Sequence, residues 1–241
     1  MYALTDACVA IVGAGRLGNA LAAAIVGAEL RVLGPLGRGA DGRGADVVVL
    51  CVPDEAIADA ARAIEPGPLV GHCSGASTLA PLAPHEAFSM HPLLTVARDA
   101  PVSFAGAGCA IAGSTEKARD AATALALRLK MRPFAVADAD RDVYHAAASM
   151  ASNYLVTIEG AAEQLAALAG VERDLLIPLV RAAVENWARL GTTALTGPIV
   201  RGDVATAARQ RAAVASRAPE LLALWDALAS ATSALASGDW R

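Results

Sequence analysis

Aromatic residues are scarce in this chain, at 4% of its 241 residues. Helices with few large rings must pack through small side chains, and alanine is correspondingly abundant. A basic excess is also missing: 20 lysines and arginines stand against 24 acidic residues, for a net charge of −4. A nucleic-acid groove needs positive charge to displace counterions, so this balance argues against one. No C-x-x-C pair occurs among the four cysteines, Cys8, Cys51, Cys73 and Cys109. Their wide spacing fits buried free thiols in a reducing compartment, with neither a disulfide framework nor a metal site. The strongly apolar runs, such as Val47 to Val52, are far too short to span a bilayer. No basic segment leads into an apolar stretch with a cleavage site, so the expectation is a soluble, cytoplasmic protein with no membrane and no nucleic-acid partner.

What is present is a globular composition, 55% hydrophobic and 18% charged, at a length that suits one large domain or two small ones. The first half alternates short apolar runs with alanine-rich stretches. Cys8 to Val12 reads as a buried strand and Arg16 to Val26 as a helix. Further strands are predicted at Leu30 to Leu33, Asp46 to Val52, Leu69 to His72, Ala87 to Met90 and Gly108 to Ala112. Unbroken apolar runs with helices between them indicate an α/β domain, a mainly parallel sheet covered on both faces. The character changes near Pro133, and no strand is predicted after Asp138. Long helices are expected at about 140–169, 173–190 and 219–237, with Gly170, Gly191 and Gly238 as stop signals. A shorter helix is expected from Asp203, a natural cap. The division is therefore a Rossmann-type domain over residues 1–135 and an all-α domain over residues 136–241.

Gly13, Gly15 and Gly18 form G-x-G-x-x-G between the first strand and the first helix. The first glycine permits a tight turn, the second lets a pyrophosphate approach the backbone, and the third lets helix and strand pack closely. The helix N-terminus, from Arg16 and Leu17 onward, then offers free N–H groups to phosphate. An acid at the end of the second strand would hold the ribose hydroxyls of NAD. Here the segment reads Leu33-Gly34-Pro35-Leu36-Gly37-Arg38 and contains no acid. Arg38 can pair with a 2′-phosphate, which favours NADP(H) over NAD(H). Asp41, between Arg38 and Arg43 in a glycine-rich loop, is the rival. Val52 and Pro53 end the third strand and should line the cofactor cleft, while Asp54 reads as a helix cap.

The polar candidates cluster at strand ends and on one helix. His72, Ser74 and Gly75 follow the fourth strand, and His91 precedes Pro92 at the end of the next. A histidine there either donates a proton during reduction or merely bonds a loop. On the helix after Asp138, a spacing of 100° per residue brings His145, Ser149, Ser152 and Asn153 together, opposite an apolar stripe that includes Val143, Met150, Tyr154 and Ile158. A helix this apolar reads as buried nearly all round. Tyr144 lies at another angle and reads as packing. In the loop from Thr196, Gly197 and Pro198 to Asp203, Arg201 either clamps a carboxylate or pairs with Asp203.

Taken together, Gly13 to Gly18, Asp46 to Asp54, His72 to Gly75, His91 to Leu93, Tyr144 to Ala148 with Ala151 to Tyr154, and Leu195 to Asp203 resemble one known family. It is the two-domain bacterial family with a Rossmann-like N-terminal half and a C-terminal domain of unknown function, related to pyrroline-5-carboxylate reductase, ketopantoate reductase and the beta-hydroxyacid dehydrogenases. The resemblance implies a helical domain that dimerises, and a meeting of the His91 turn with the Ser149–Asn153 helix near a nicotinamide. In the hydroxyacid dehydrogenases a Lys-x-x-x-Asn pair on this helix does the acid–base work. Here Asn153 matches the Asn, Ser149 stands in place of the Lys, and the two lysines, Lys117 and Lys130, lie elsewhere. That gap counts against hydroxyacid dehydrogenase and standard ketopantoate reductase chemistry, and leaves imine reduction open.

The expectation is hydride transfer from NADPH to a small carbonyl or imine compound, with a 2-keto acid or a cyclic imine as the model substrates. Gly13, Gly15, Arg16, Leu17, Gly18, Arg38, Val52, Pro53, Ser74 and Gly75 would hold the cofactor. His91 or His145 would supply the proton, with Ser149 and Asn153 orienting the substrate. His72, Thr196, Gly197, Pro198 and Arg201 would complete the substrate contacts. The alternatives are an NADP(H)-binding sensor or regulatory protein without catalysis and, more distantly, reduction of a deazaflavin.

Overall fold

The structure is a computed structural model that describes residues 4, 6–97 and 102–239. The chain divides into two compact units between Ser152 and Asn153. The first is built on a seven-stranded sheet: β1 (Cys8–Val12), β2 (Arg31–Leu36), β3 (Val47–Leu50), β4 (Leu69–His72), β5 (Ala87–Pro92), β6 (Gly108–Gly113) and β7 (Arg132–Ala135). Their order is β2-β1-β3-β4-β5-β6-β7. All neighbours are parallel except β5 and β6, where the direction reverses.

Alternation along the strands explains why both faces read as apolar. Val9, Ile11, Val47, Val49 and Phe88 enter one core with Leu21 and Ile25 of α1 (Arg16–Gly27) and Leu125 of α3 (Glu116–Arg128). Ala10, Val12, Val48, Leu50 and Val70 enter the other with Ile57 and Ala61 of α2 (Ile57–Ala63). Thr115 caps α3, its hydroxyl accepting from the Ala118 N–H at 3.1 Å.

Two departures from the sequence reading fall on the two edge strands. β2 continues through Gly34-Pro35, beyond the expected end at Leu33, because Gly34 adopts a φ of +105° and the pairing slips between Ala10 and Val12. β7, at the opposite edge, contains Pro133 and is not predicted at all. Proline is compatible with a strand only where one side needs no ladder partner, and an edge supplies that side.

The boundary also lies one helix later than the composition change at 135/136. α4 (Arg141–Ser149) belongs to the first unit. Arg141 anchors it there: its side chain is buried, with Nε donating to Asp138 Oδ1 at 2.8 Å and Nη2 to Ser89 Oγ at 3.0 Å. The helix then widens into a π segment at Met150–Tyr154 before α5 (Leu155–Leu168). The second unit continues with α6 (Arg173–Leu190), α7 (Val204–Arg217) and α8 (Leu222–Ser237), and holds no strand among the described residues. Asp203 caps α7, accepting from the Thr206 N–H at 3.0 Å, and this helix is longer than expected. Arg211 and Asp226 tie α7 to α8 through two bonds of 2.8 Å. The expectation that the long helix is buried nearly all round is corrected: Val143, Met150, Tyr154 and Val156 are exposed, and α5, α6 and α8 contain no buried residue.

Candidate active site

The chain leaves β1 toward β2 on one side and returns to β3 on the other. This reversal opens a crevice at the C-terminal ends of β1 and β3, where doubly wound sheets take their ligands. Gly13 follows β1 with a φ of +113°, and a Cβ there would lie 2.3 Å from the Cys51 carbonyl oxygen. A Cβ on Gly18 would lie 1.9 Å from the Gly13 carbonyl oxygen, so helix α1 and the loop close on each other only without side chains. Gly15 differs. Nothing lies within 4 Å of its missing Cβ, which leaves backbone open to the crevice. The first turn of α1 carries no side-chain cap and no acidic residue, so no side chain of its own competes with an anion for its N–H groups. Asn19, which the sequence reading missed, fixes the loop from below, its Nδ2 donating to the Ala14 and Gly15 carbonyls at 2.8 and 2.9 Å. These features fit the pyrophosphate of a dinucleotide.

A cleft of about 570 Å³ extends from this loop. Gly15, Arg16 and Leu17 form one wall, Cys51, Val52, Pro53 and Asp54 the floor, and Cys73, Ser74, Gly75, His91, Val96 and His145 the remainder. The size is that of a small-molecule site. A second cavity of about 350 Å³, beside Asp46 and Leu69, sits at the opposite ends of the strands, away from the glycine loop.

His91 is the best-placed polar group. It ends β5, half-buried, and its Nδ1 lies 2.6 Å from the Tyr144 hydroxyl. Burial, reinforced by the nearby His145, pushes its pKa down to about 4, with Asp54 opposing. Burial likewise pushes the Tyr144 phenol up to about 12. Both groups are therefore neutral near pH 7. The His145 ring lies 6.0 Å from that of His91, exposed at the cleft margin. Both imidazoles rest on Gly75: a Cβ there would come within 2.8 Å of His91 Cε1 and 2.9 Å of His145 Cδ2.

Several expected contacts change role. His72 is fully buried, accepting from the Ser74 N–H at Nδ1 and bonded through Nε2 to the Thr78 carbonyl. Both ring nitrogens are committed, so His72 is a structural residue rather than a substrate contact. Ser74 lies in the cleft wall, but its hydroxyl donates to Asp54 Oδ2 at 2.7 Å and accepts from the Ala76 and Ser77 N–H groups. It shapes the turn and has no hydroxyl proton left for a cofactor. Asp54 accordingly serves Ser74 instead of capping a helix. Tyr144, read from the sequence as packing, is the partner of His91. Neither Ser149 nor Asn153 lines the cleft, and Asn153 belongs to the second unit. Thr196, Gly197, Pro198 and Arg201 also lie in the second unit, in a turn closed by the Asp203 N–H donating to the Pro198 carbonyl at 2.8 Å. Of the two alternatives for Arg201, the pairing with Asp203 is not made as a close ion pair among the described residues, where the Asp203 carboxylate serves as the α7 cap.

The four cysteines are free. Cys51 and Cys73 both line the cleft and lie side by side, Sγ to Sγ 3.9 Å. The contact with Cys51, followed by burial, raises the Cys73 pKa, which suppresses the reactive thiolate. No cluster of three or more metal-ligating side chains occurs among the described residues, and no helix among them is long and apolar enough to cross a membrane.

Residues 107–232, just over half of the chain, match the family described as "Domain of unknown function (DUF2520)". The chain belongs to this family. No curated protein matches the sequence. Solved structures are similar in fold. A Bacteroides fragilis protein provisionally named an NADP oxidoreductase superposes with a TM-score of 0.82 at 20% identity, over 96% of this chain and 99% of its own. A Thermotoga maritima protein gives 0.77 at 20% identity, over 97% and 100%. A Plasmodium falciparum pyrroline carboxylate reductase with NADP bound gives 0.63 at 13% identity, over 97% and 100%. Together with the strand order, these likenesses establish the Rossmann-type architecture with a helical C-terminal region.

Proposed function

We propose that this protein is an NADP(H)-dependent oxidoreductase that reduces a small carbonyl or imine compound. The observation that carries the reading is one cleft that joins an open Gly15 and an uncapped α1 N-terminus to His91. When bound, NADPH supplies a hydride to an electrophilic carbon, and the carbonyl oxygen or imine nitrogen takes up a proton. The α1 N–H groups and Gly15 hold the pyrophosphate, and Val52 and Pro53 border the dinucleotide. His91 donates a hydrogen bond to the oxygen or nitrogen that receives the proton. An open cleft at His91 favours an enzyme over a sensor whose polar groups are all satisfied internally.

The NADP(H) preference is supported by the β2 terminus. Leu36 pairs with Val12, and its carbonyl accepts from the Gly13 N–H at 2.8 Å, so Arg38 follows the strand two residues beyond the glycine loop's neighbour. Arg38 has no ion pair or side-chain hydrogen bond among the described residues, whereas Arg43 is held by Glu65 and Asp41. Asp41 in turn accepts from the Arg43 N–H at 3.0 Å, which ties it to its own loop. Titration with NADPH and NADH by nucleotide fluorescence should give at least tenfold tighter NADPH binding. Arg38→Ala should remove that difference, since a charge-assisted contact contributes about 1.5–3 kcal/mol. Equal affinities in the wild type would overturn the cofactor assignment. NADPH oxidation with a panel of 2-keto acids and cyclic imines tests the reaction, and tight binding with no turnover across the panel would favour the sensor.

The protein is also proposed to act as a homodimer through its helical unit. Leu175, Leu179 and Trp187 follow one stripe of α6 at intervals of four and eight residues and are 70%, 67% and 63% exposed. Light scattering at micromolar concentration should return twice the chain mass.

A further inference from the structure

We infer that Tyr144 is a positioning residue: it fixes His91 in the Nε2–H tautomer, so that His91 offers the ligand in the cleft a donor and never an acceptor. The inference rests on the reductase reading for what the donor does, but the tautomer itself belongs to the protein alone.

The argument is one of hydrogen-bond accounting. Tyr144 and His91 can share their 2.6 Å contact in two ways. If the Tyr144 O–H donates to Nδ1, the phenol proton and the Nδ1 lone pair satisfy each other, and the ring proton sits on Nε2. If instead Nδ1–H donates to the phenol oxygen, the Tyr144 proton has no acceptor among the described residues. That arrangement also pairs the weaker donor, a neutral imidazole N–H, with the weaker acceptor, a phenol oxygen, in a half-buried position beside Phe134 at a ring separation of 6.0 Å. The first arrangement therefore prevails.

Nε2 then has one direction in which to act. It has no protein partner among the described residues, yet no buried side-chain nitrogen or oxygen there lacks a partner. Nε2 must consequently reach the open space of the cleft. Its position beside Gly75, where a Cβ would lie 3.0 Å away, places it on the cleft wall. The helix that carries Tyr144 is tied to the strand that carries His91, because buried Arg141 in the first turn of α4 donates to Ser89 on β5. His145, exposed and without a hydrogen bond among the described residues, has no comparable orientation. This separates two histidines that the sequence left equivalent.

The test is a long-range ¹H–¹⁵N correlation spectrum of histidine-labelled protein near pH 7, without cofactor. His91 should show a bare, hydrogen-bond-accepting Nδ1 and a protonated Nε2. In Tyr144→Phe the Nδ1–H fraction should rise roughly tenfold, the equivalent of one hydrogen bond. His145→Ala should leave the His91 tautomer unchanged. A protonated Nδ1 in the wild type overturns the inference even if Tyr144→Phe fails to fold, and so does an unaltered tautomer in a folded Tyr144→Phe. With any substrate that is turned over, Tyr144→Phe should lower kcat about tenfold while KM for NADPH stays within twofold. Should no substrate be reduced, the reductase reading fails while the spectrum still decides the tautomer, so the two ideas fail separately.

Discussion

Around the sheet of the first unit, Val9, Ile11, Val48 and Phe88 are fully buried, whereas Leu175, Leu179 and Trp187 in the second unit are 63–70% exposed. Both regions are rich in apolar residues. They differ in what covers them within one chain. The sheet is covered on both faces by α1, α2 and α3, while among the described residues of the second unit only Val214 and Ala218 are buried. Hydrophobic stabilisation scales with apolar area taken out of water, so the first unit gains it on folding, whereas the second would gain most of it only in the proposed dimer. The contrast also locates function: the crevice lies where the backbone is rigidly over-determined by a closed core, as a geometrically demanding site requires.

The largest effects should come from the cores. Phe88→Ala removes a ring packed over Gly71 and should lower stability by about 3–5 kcal/mol in denaturant titration, at any protein concentration. If the proposed dimer forms through α6, Trp187→Ala should leave a dilute sample nearly as stable as the wild type but lower the melting temperature of a concentrated one. A concentration-independent loss at Trp187 would break the comparison. Next in size is the glycine pair. Gly18→Ala forces a Cβ onto the Gly13 carbonyl and should cost about 1–3 kcal/mol together with most NADPH affinity. Gly160→Ala, inside α5 with nothing within 4 Å, should instead stabilise by about 0.5–1 kcal/mol. Equal outcomes at the two glycines would show that the loop closure is not as tight as its distances imply.

A smaller effect is expected from pH. The folded pKa of His91, about 4, lies below the unfolded value of about 6.5, so the unfolded chain binds the extra proton between them. The wild type should therefore lose stability as pH falls from about 6.5 to 4, by roughly 3 kcal/mol, with little further loss from this residue below pH 4. Buried His72, also lowered, acts in the same sense, so the difference between wild type and His91→Gln isolates His91. Denaturation midpoints measured across that range should converge for the two proteins at low pH. Parallel curves would place His91 in water instead.

The sheet was legible from sequence where its strands are central. β1, β3 and β4 are short apolar runs, and a strand buried on both faces has no other chemistry available. The edges were only partly legible: β2 was expected but only as far as Leu33, and β7 was not expected, because Gly34-Pro35 and Pro133 carry chemistry that only an edge position tolerates. The glycine loop was legible because its spacing is set by local backbone geometry. The histidines were only half legible. His72 and His91 both end strands, yet one lies beneath the turn of Ser74 and Thr78 and the other opens onto the cleft, and no local pattern distinguishes these fates. Tyr144 was misread because its partner lies 53 residues away.

The sequence alone determined the alternation of strands and helices, the glycine turn at Gly13, Gly15 and Gly18, the absence of an acid from Leu33 to Arg38, and the helical character of the chain after Asp138. These follow from periodicity, backbone freedom and charge, which are properties of neighbouring residues. Only the tertiary structure decided which histidine faces the cleft, that Ser74 serves Asp54, that Tyr144 meets His91, and that α4 belongs with the sheet. Those outcomes depend on which groups burial leaves without water, because a buried polar atom takes whatever partner the fold brings within about 3 Å.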